Sequence, residues 1–204
     1  TKGGGIFCNT GASVILTDCT FTTNTARDYD GGAIFLGSYG NANITRCTFS
    51  GNTATYHGGG LYLNSDSVTT MSDSTVSGNT ASTYEGGGFY LNGGADLTVD
   101  RSIISGNSGS KGGGFFFNTD SRPVLRNCII TGNEATVYYG GGAYFNSCIG
   151  AQVINCTFSG NEAARGGGIY CVGSLTVKNT ILYGDWAREN DNNEIDGSSF
   201  DISY

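Results

Sequence analysis

A chain of 204 residues with 10 Lys and Arg against 17 Asp and Glu carries a formal charge of −7 and a pI near 4.4, which argues against a nucleic-acid partner, whose backbone demands a basic footprint. Its 35 Gly recur periodically rather than being scattered, Pro occurs once, and 38% of residues are hydrophobic, so it does not read as a disordered chain. No apolar run approaches the roughly 18 residues that cross a membrane as a helix, and seven Cys, an odd number at irregular spacings, fit neither a zinc ribbon nor a small disulfide framework.

The chain opens on a glycine run, TKGGGIF, and the run keeps returning. In order come CTFTTNTARDYDGGAIF (Cys19 to Phe35), CTFSGNTATYHGGGLYL (Cys47 to Leu63), STVSGNTASTYEGGGFYL (Ser74 to Leu91), SIISGNSGSKGGGFFF (Ser102 to Phe117), CIITGNEATVYYGGGAYF (Cys128 to Phe145) and NCTFSGNEAARGGGIYC (Asn155 to Cys171). The residue after each run is Ile6, Ile34, Leu61, Phe89, Phe115, Ala143 and Ile169, spaced by 28, 27, 28, 26, 28 and 26. A period this tight means that one structural unit stacks on the next.

Each repeat contains three short alternating segments. The first carries inward pairs such as Val14 and Leu16, Thr69 and Met71, Leu97 and Val99, Pro123 and Leu125, Ala151 and Val153, and Leu175 and Val177. The second begins at a small residue, Cys19, Cys47, Ser74, Ser102, Cys128, Cys156 or Thr180. Two residues on it places Phe21, Phe49, Val76, Ile104, Ile130, Phe158 or Leu182 on the same face. The third follows the glycines, from Ile6 and Cys8 to Ile169 and Cys171. Alternation buries one face of each segment, and no Asn-Gly or Asp-Gly hairpin signal recurs. The expected fold is all-β: a right-handed, single-stranded parallel β-helix of about seven coils with three short strands per coil. Residues 1–204 form one domain, read as part of a longer chain or of a head-to-tail assembly. Handedness follows the general preference of parallel crossovers.

A glycine run beside a cysteine also suggests a phosphate loop, but such a loop occurs once in a chain and is followed by Lys and a helix. Here the runs are corners, where positive φ and close backbone approach recur in every coil. Asn24, Asn52, Asn79, Asn107, Asn133 and Asn161 form one polar ladder capping the corners, and Asn9, Asn64, Asn92, Asn118 and Asn146 a second.

FSGNTA followed by GGG and an aliphatic-aromatic pair resembles the repeats of polymorphic outer membrane proteins, with their GGA(I/L/V) and FxxN signatures. Ser50 to Ala54 with Gly58 to Leu61, and Gly31 to Ile34, match most literally. LTVKNTILYGD (Leu175 to Asp185) and NEIDGSSFDISY (Asn193 to Tyr204) resemble the end of a β-helix passenger with a choice-of-anchor segment. The resemblance implies a non-catalytic stalk or adhesin module of a prokaryotic surface protein, extracellular or at the cell surface. It implies no shared active site, and the residues themselves give no expectation of a cofactor or metal.

A rival reading is a polysaccharide lyase or hydrolase, since Asn118-Thr119-Asp120 reproduces a polygalacturonase triplet. The accompanying double Asp, the His of a GHG element and the Arg-Ile-Lys element are missing. His57, the sole His, is expected as an exposed turn residue. Cys19 with Cys47 and Cys128 with Cys156 stack as small apolar fillers. Asp18, Arg46, Asp73 and Arg101, then Asn127, Asn155 and Asn179, form an outward column of alternating charge that pairs between coils. Asp28 with Asp30, or Asp191 with Asp196, offers oxygen for calcium, against which stands the plainer reading of solvated loop carboxylates.

Phe7, Phe35, Tyr62, Tyr90, Phe116, Tyr144 and Tyr170 stand between the inward residues of the third segment and therefore face outward. This row is either a ladder of stacked rings or an exposed contact surface for a glycan or protein receptor, bordered by Tyr29, Tyr56, Tyr84, Tyr138 and Tyr139. Lys2 to Cys8 reads as an uncapped corner and strand, and Ser199 to Tyr204 as a strand that stops midway. These ends suggest further coils, or copies stacking head to tail into an extracellular filament.

Overall fold

The computed structural model describes residues 2–189, 194–197 and 200–203. Its described elements are short β-strands, every one paired in parallel with its counterpart one coil away. The second coil shows the unit: Ile34–Leu36, Asn41–Thr45, Thr48–Ser50 and Thr53–Ala54. These stack on Leu61–Leu63, Val68–Ser72, Thr75–Ser77 and Thr80–Ala81 of the third. Three sheets result. Sheet A holds the strand after the glycines and the five-residue strand of each coil, and sheet B the strand after the Cys or Ser corner. Sheet C is built from two-residue strands such as Thr53–Ala54, which sequence reading leaves inside the corner. Toward the C-terminal end the two strands of sheet A merge, as Ala143–Ile154 and Ile169–Lys178. The expected all-β solenoid of seven coils and three sheets is therefore the fold.

Register is fixed because a slip of one residue would turn each apolar set outward. Phe49, Val76, Ile104, Ile130 and Phe158 are fully buried under sheet B, and Leu61, Phe89, Phe115 and Ala143 under sheet A. Ala42 and Ile44 fill the same inward positions in the second coil. Burial of each large side chain contributes about 2–3 kcal/mol toward the ordering entropy of its coil.

The corners add to one expectation and correct two. The cysteines fill the core as expected, Cys47, Cys128 and Cys156 lying in the main apolar cluster with Cys19 packed against it, but the Cys and Ser column is also a hydrogen-bonded ladder. Each Sγ or Oγ donates to the carbonyl two residues back, as in Cys47 to Thr45 (3.3 Å), Ser74 to Ser72 (2.7 Å) and Cys128 to Arg126 (3.0 Å). The same atom accepts the backbone nitrogen of the preceding coil, as from Cys47 to Ser74 Oγ (3.0 Å) and from Cys19 to Cys47 Sγ (3.5 Å). Cys, Ser and Thr interchange there because all three can make that pair of contacts.

Left-handed geometry does not belong to the laddered asparagines. It falls on the residue before them, such as Gly51 (φ 62°), and on the charge column, with Asp18, Arg46, Asp73 and Arg101 at φ 55°, 51°, 50° and 45°. The charges do pair: Arg46 grips Asp18 at 2.7 and 2.8 Å, and Arg101 grips Asp73 at 2.8 and 2.9 Å. Finally, the first asparagine ladder lies inside. Asn52, Asn79, Asn107, Asn133 and Asn161 are completely buried, each Nδ2 reaching the Oδ1 of the next rung (Asp185 above Asn161) at 2.7 to 2.9 Å.

Candidate functional site

The third strand leads outward to a second apolar body. Phe35, Tyr62, Tyr90, Phe116 and Tyr144 face away from the main core, as alternation requires, and stack with ring centroids 4.9 to 5.2 Å apart. Phe7 and Tyr170 extend the row at 5.4 and 5.2 Å. As a contact surface the row fails: from Phe35 to Tyr144 it is 4 to 9% exposed, Tyr170 is half-buried, and Phe7 alone is open at 51%. Side chains just ahead of the glycine runs lie against the rings: Lys2 over Phe35, His57 against Tyr62 and Tyr90, and Tyr139 against Tyr144 and Tyr170. Burial accordingly pushes the hydroxyls of Tyr90 and Tyr144 up to about 12 and keeps them protonated.

The cover is a column that sequence reading passes over, namely the residue before each glycine run: Asp30, His57, Glu85, Lys111, Tyr139 and Arg165. Stacking at one-coil intervals brings opposite charges into contact. Asp30 Oδ1 lies 2.8 Å from His57 Nδ1, Glu85 Oε2 lies 3.2 Å from His57 Nε2, and Lys111 Nζ lies 3.2 Å from Glu85 Oε1. Higher up, Arg165 pairs with Asp196 at 2.7 Å and lies over the Tyr139 and Tyr170 rings. His57 is thus a clamped, half-buried group and not the exposed turn residue expected. Burial works against its charge, but hydrogen bonds from both ring nitrogens to Asp30 and Glu85 outweigh it, and its pKa is pushed up to about 9. An imidazolium held between two carboxylates is a structural cation, a poor general base at neutral pH. The signal was legible as the residue in register before each glycine.

Outside this column lies the aromatic surface that is open. Tyr29, Tyr56, Tyr84 and Tyr138 are 44, 37, 45 and 46% exposed. Tyr56 and Tyr84 lie 5.6 Å apart, and Lys111 sits 5.3 Å from the Tyr138 ring centre. Ser110 and Ala164 occupy the same position in the other two coils and interrupt the stripe.

The remaining candidates resolve into framework. Asn118 Oδ1 accepts from Thr119 N at 2.9 Å and from Asn146 Nδ2 at 3.1 Å, and its own Nδ2 reaches the Tyr90 hydroxyl at 3.3 Å. Asp120 is an exposed turn residue at φ 63°. The seven cysteines are unbridged. Burial pushes the Cys148 and Cys171 thiols up to about 11, and Cys128 is pushed up by its hydrogen bond with the Cys156 sulfur and by burial; such thiols are inert at neutral pH. Asp30 is committed to His57 and Asp196 to Arg165, while Asp191, Asn193, Ser199 and Tyr204 lie outside the described residues. Among the described residues no group of three or more His, Cys, Asp or Glu side chains is arranged to hold a metal ion. A shallow trough of about 330 Å³ runs along sheet A, lined by residues including Ile15, Asn41, Asn43, Val68 and Thr70, with no acid, base or thiol in its wall.

A closed stack of three parallel sheets, with laddered corners and an aromatic flank, defines a parallel β-solenoid. The family model described as right handed beta helix region matches residues 4–200, and the chain belongs to that family. Comparison with curated proteins and with solved structures gives no match.

Proposed function

We propose that the protein is a non-catalytic stalk or adhesive module outside a prokaryotic cell, of the kind the polymorphic outer-membrane-protein-like repeats suggest. The observation that carries this reading is the commitment of its reactive-looking side chains to ladders between coils: Asn118 with Asn146, His57 with Asp30 and Glu85, and Cys19 with Cys47. A chain that spends these groups on stacking becomes a long, stiff body. Its adhesive element is the stripe of Tyr29, Tyr56, Tyr84 and Tyr138, in place of the buried row. Four rings each exposing roughly 100 Å² give about 400 Å², half of what one partner contributes to a standard protein interface. That area suits stacking against sugar rings along the rod.

Two measurements test this. Incubation with pectic and algal polysaccharides leaves chain length unchanged; reproducible cleavage that Asp120→Ala abolishes would replace the stalk with an enzyme. On a glycan array, a variant with Tyr56, Tyr84 and Tyr138 changed to Ser loses at least tenfold in affinity while keeping its melting temperature. Undiminished binding by that variant removes the stripe as the adhesive element. Labelling of intact cells of the source organism by antibody to the purified chain supports the location, and labelling only after permeabilisation contradicts it.

A further inference from the structure

The internal asparagine ladder ends on an acid. Asn161 donates from its backbone nitrogen and from Nδ2 to Asp185 Oδ1, each at 2.7 Å, so Asp185 fills the place of the next asparagine. It is 3% exposed. In the rungs below, the second side-chain atom is a donor: Nδ2 of Asn52, Asn79, Asn107, Asn133 and Asn161 reaches the carbonyls of Phe21, Phe49, Val76, Ile104 and Ile130 at 3.0 Å. In Asp185 that atom is Oδ2, buried and without a hydrogen-bond partner. It stands at the place from which the asparagine Nδ2 groups below donate to a carbonyl. An ionised carboxylate cannot satisfy this position, and a protonated one can.

The other face of Asp185 meets a second carboxyl group. Glu194 accepts from Gly184 N at 3.1 Å and from Asp185 N at 3.4 Å, so it takes the acceptor role that the next rung's Oδ1 plays elsewhere in the ladder. Glu194 leads directly into Ile195–Gly197, which pairs with Ile169–Cys171, and Phe200–Ser203 then pairs with Leu175–Lys178. Arg188 pairs with Glu162 at 3.1 Å and Glu134 at 3.6 Å, and Arg165 with Asp196. Among the described residues the charged group that acts on Asp185 is Glu194, while the coil below presents the neutral Asn161.

We propose that Asp185 and Glu194 form a proton-binding site that closes the last coil: protonated Asp185 stands in for asparagine by donating from Oδ2, and its ionisation releases the segment carrying Glu194. A proton suits the site better than a metal ion, since two carboxylates whose oxygens already accept from Asn161, Gly184 and Asp185 leave few ligands for a cation that takes six or more. Burial raises the Asp185 pKa, the Asn161 donors lower it, and the Glu194 carboxyl raises it again, leaving it at about 7. Because the closed state holds its proton more tightly than the open chain does, closure is fully supported below the ordinary carboxyl range near pH 4 and is lost as pH rises through 7. Release bares the edge of the Ile169–Lys178 strand for pairing with another strand.

Hydrogen exchange of the intact chain tests the site, with protection factors for the amides of Ile195–Gly197 and Phe200–Ser203 normalised to intrinsic rates. Between pH 5 and pH 8 protection falls by about a hundredfold in the native chain, the change that linkage gives for a shift of this size. It stays level in Asp185→Asn, which supplies the missing donor permanently. Level protection in the native chain overturns the proposal, as does an equal fall in Asp185→Asn. Should that variant not fold, carbon-13 titration of the Asp185 carboxyl in the native chain decides: a midpoint near pH 7 supports the site, and one below about pH 5 overturns it.

Discussion

Replacing Asn107 by alanine removes a completely buried rung from the middle of the ladder. Its Oδ1 accepts the Asn79 backbone nitrogen and Asn79 Nδ2, both at 2.9 Å, and its Nδ2 donates to the Val76 carbonyl at 3.0 Å and to Asn133 Oδ1 at 2.9 Å. Asn79 Nδ2 keeps its bond to the Phe49 carbonyl, and Asn133 Oδ1 keeps the Asn107 backbone nitrogen. The Asn79 backbone N–H has no second acceptor, and the Val76 carbonyl loses a donor. Each orphaned buried group costs about 1–3 kcal/mol, and the small cavity adds to this, giving a loss of about 3–5 kcal/mol. Urea denaturation followed by far-ultraviolet circular dichroism measures it, with Thr75→Ala on the outer face of sheet B as a control expected within about 0.5 kcal/mol of the native chain. A loss below about 1 kcal/mol for Asn107→Ala would refute the assignment of stability to the ladder.

His57 gives the fold a dependence on alkaline pH. Its pKa is raised from 6.5 to about 9 by Asp30 and Glu85, so the stabilisation is complete below pH 6.5 and is lost as pH rises through 9. After solvent screening of this half-buried pair, about 1–2 kcal/mol disappears between pH 7 and pH 10; melting temperatures across that range show the fall, and an identical fall in His57→Gln counts against it. Thiol reagents at pH 7.5 label Cys19, half-buried at the edge of the stack, before Cys128, Cys148 and Cys171, which react only on unfolding; native labelling of Cys148 at the rate of a free thiol contradicts its burial.

The periodicity of glycine and apolar residues is enough to place the strands, because each coil repeats one alternation and a slip exposes the core. Phe49, Val76, Ile104 and Phe158 are buried where that alternation puts them. The corners were less legible, since cysteine reads as apolar until the Ser74 Oγ in the same column is seen to accept from Cys47. Gly59 shows how tight the stack is, for a Cβ there would come within 2.5 Å of the Gly87 carbonyl oxygen. The aromatic row illustrates the limit of parity: Tyr62 faces outward as read, yet lies under His57, because a loop's path over a strand is not written in the strand's alternation. The charged cover depends on contacts between residues 26 to 28 positions apart, such as Lys111 with Glu85 and Glu85 with His57. They become visible only once the coils are aligned on the glycines.

The central claim is that asparagine side chains are internal structural bonds of the rod, and exchange of their own amide protons tests it most directly. In a nitrogen-15 labelled sample at neutral pH, the Nδ2 protons of Asn52, Asn79, Asn107, Asn133 and Asn161 should persist in deuterated solvent long after those of exposed amides, since each group is buried and bonded to the next rung and to a backbone carbonyl. Exchange of these five amides as fast as that of surface asparagines would contradict the account.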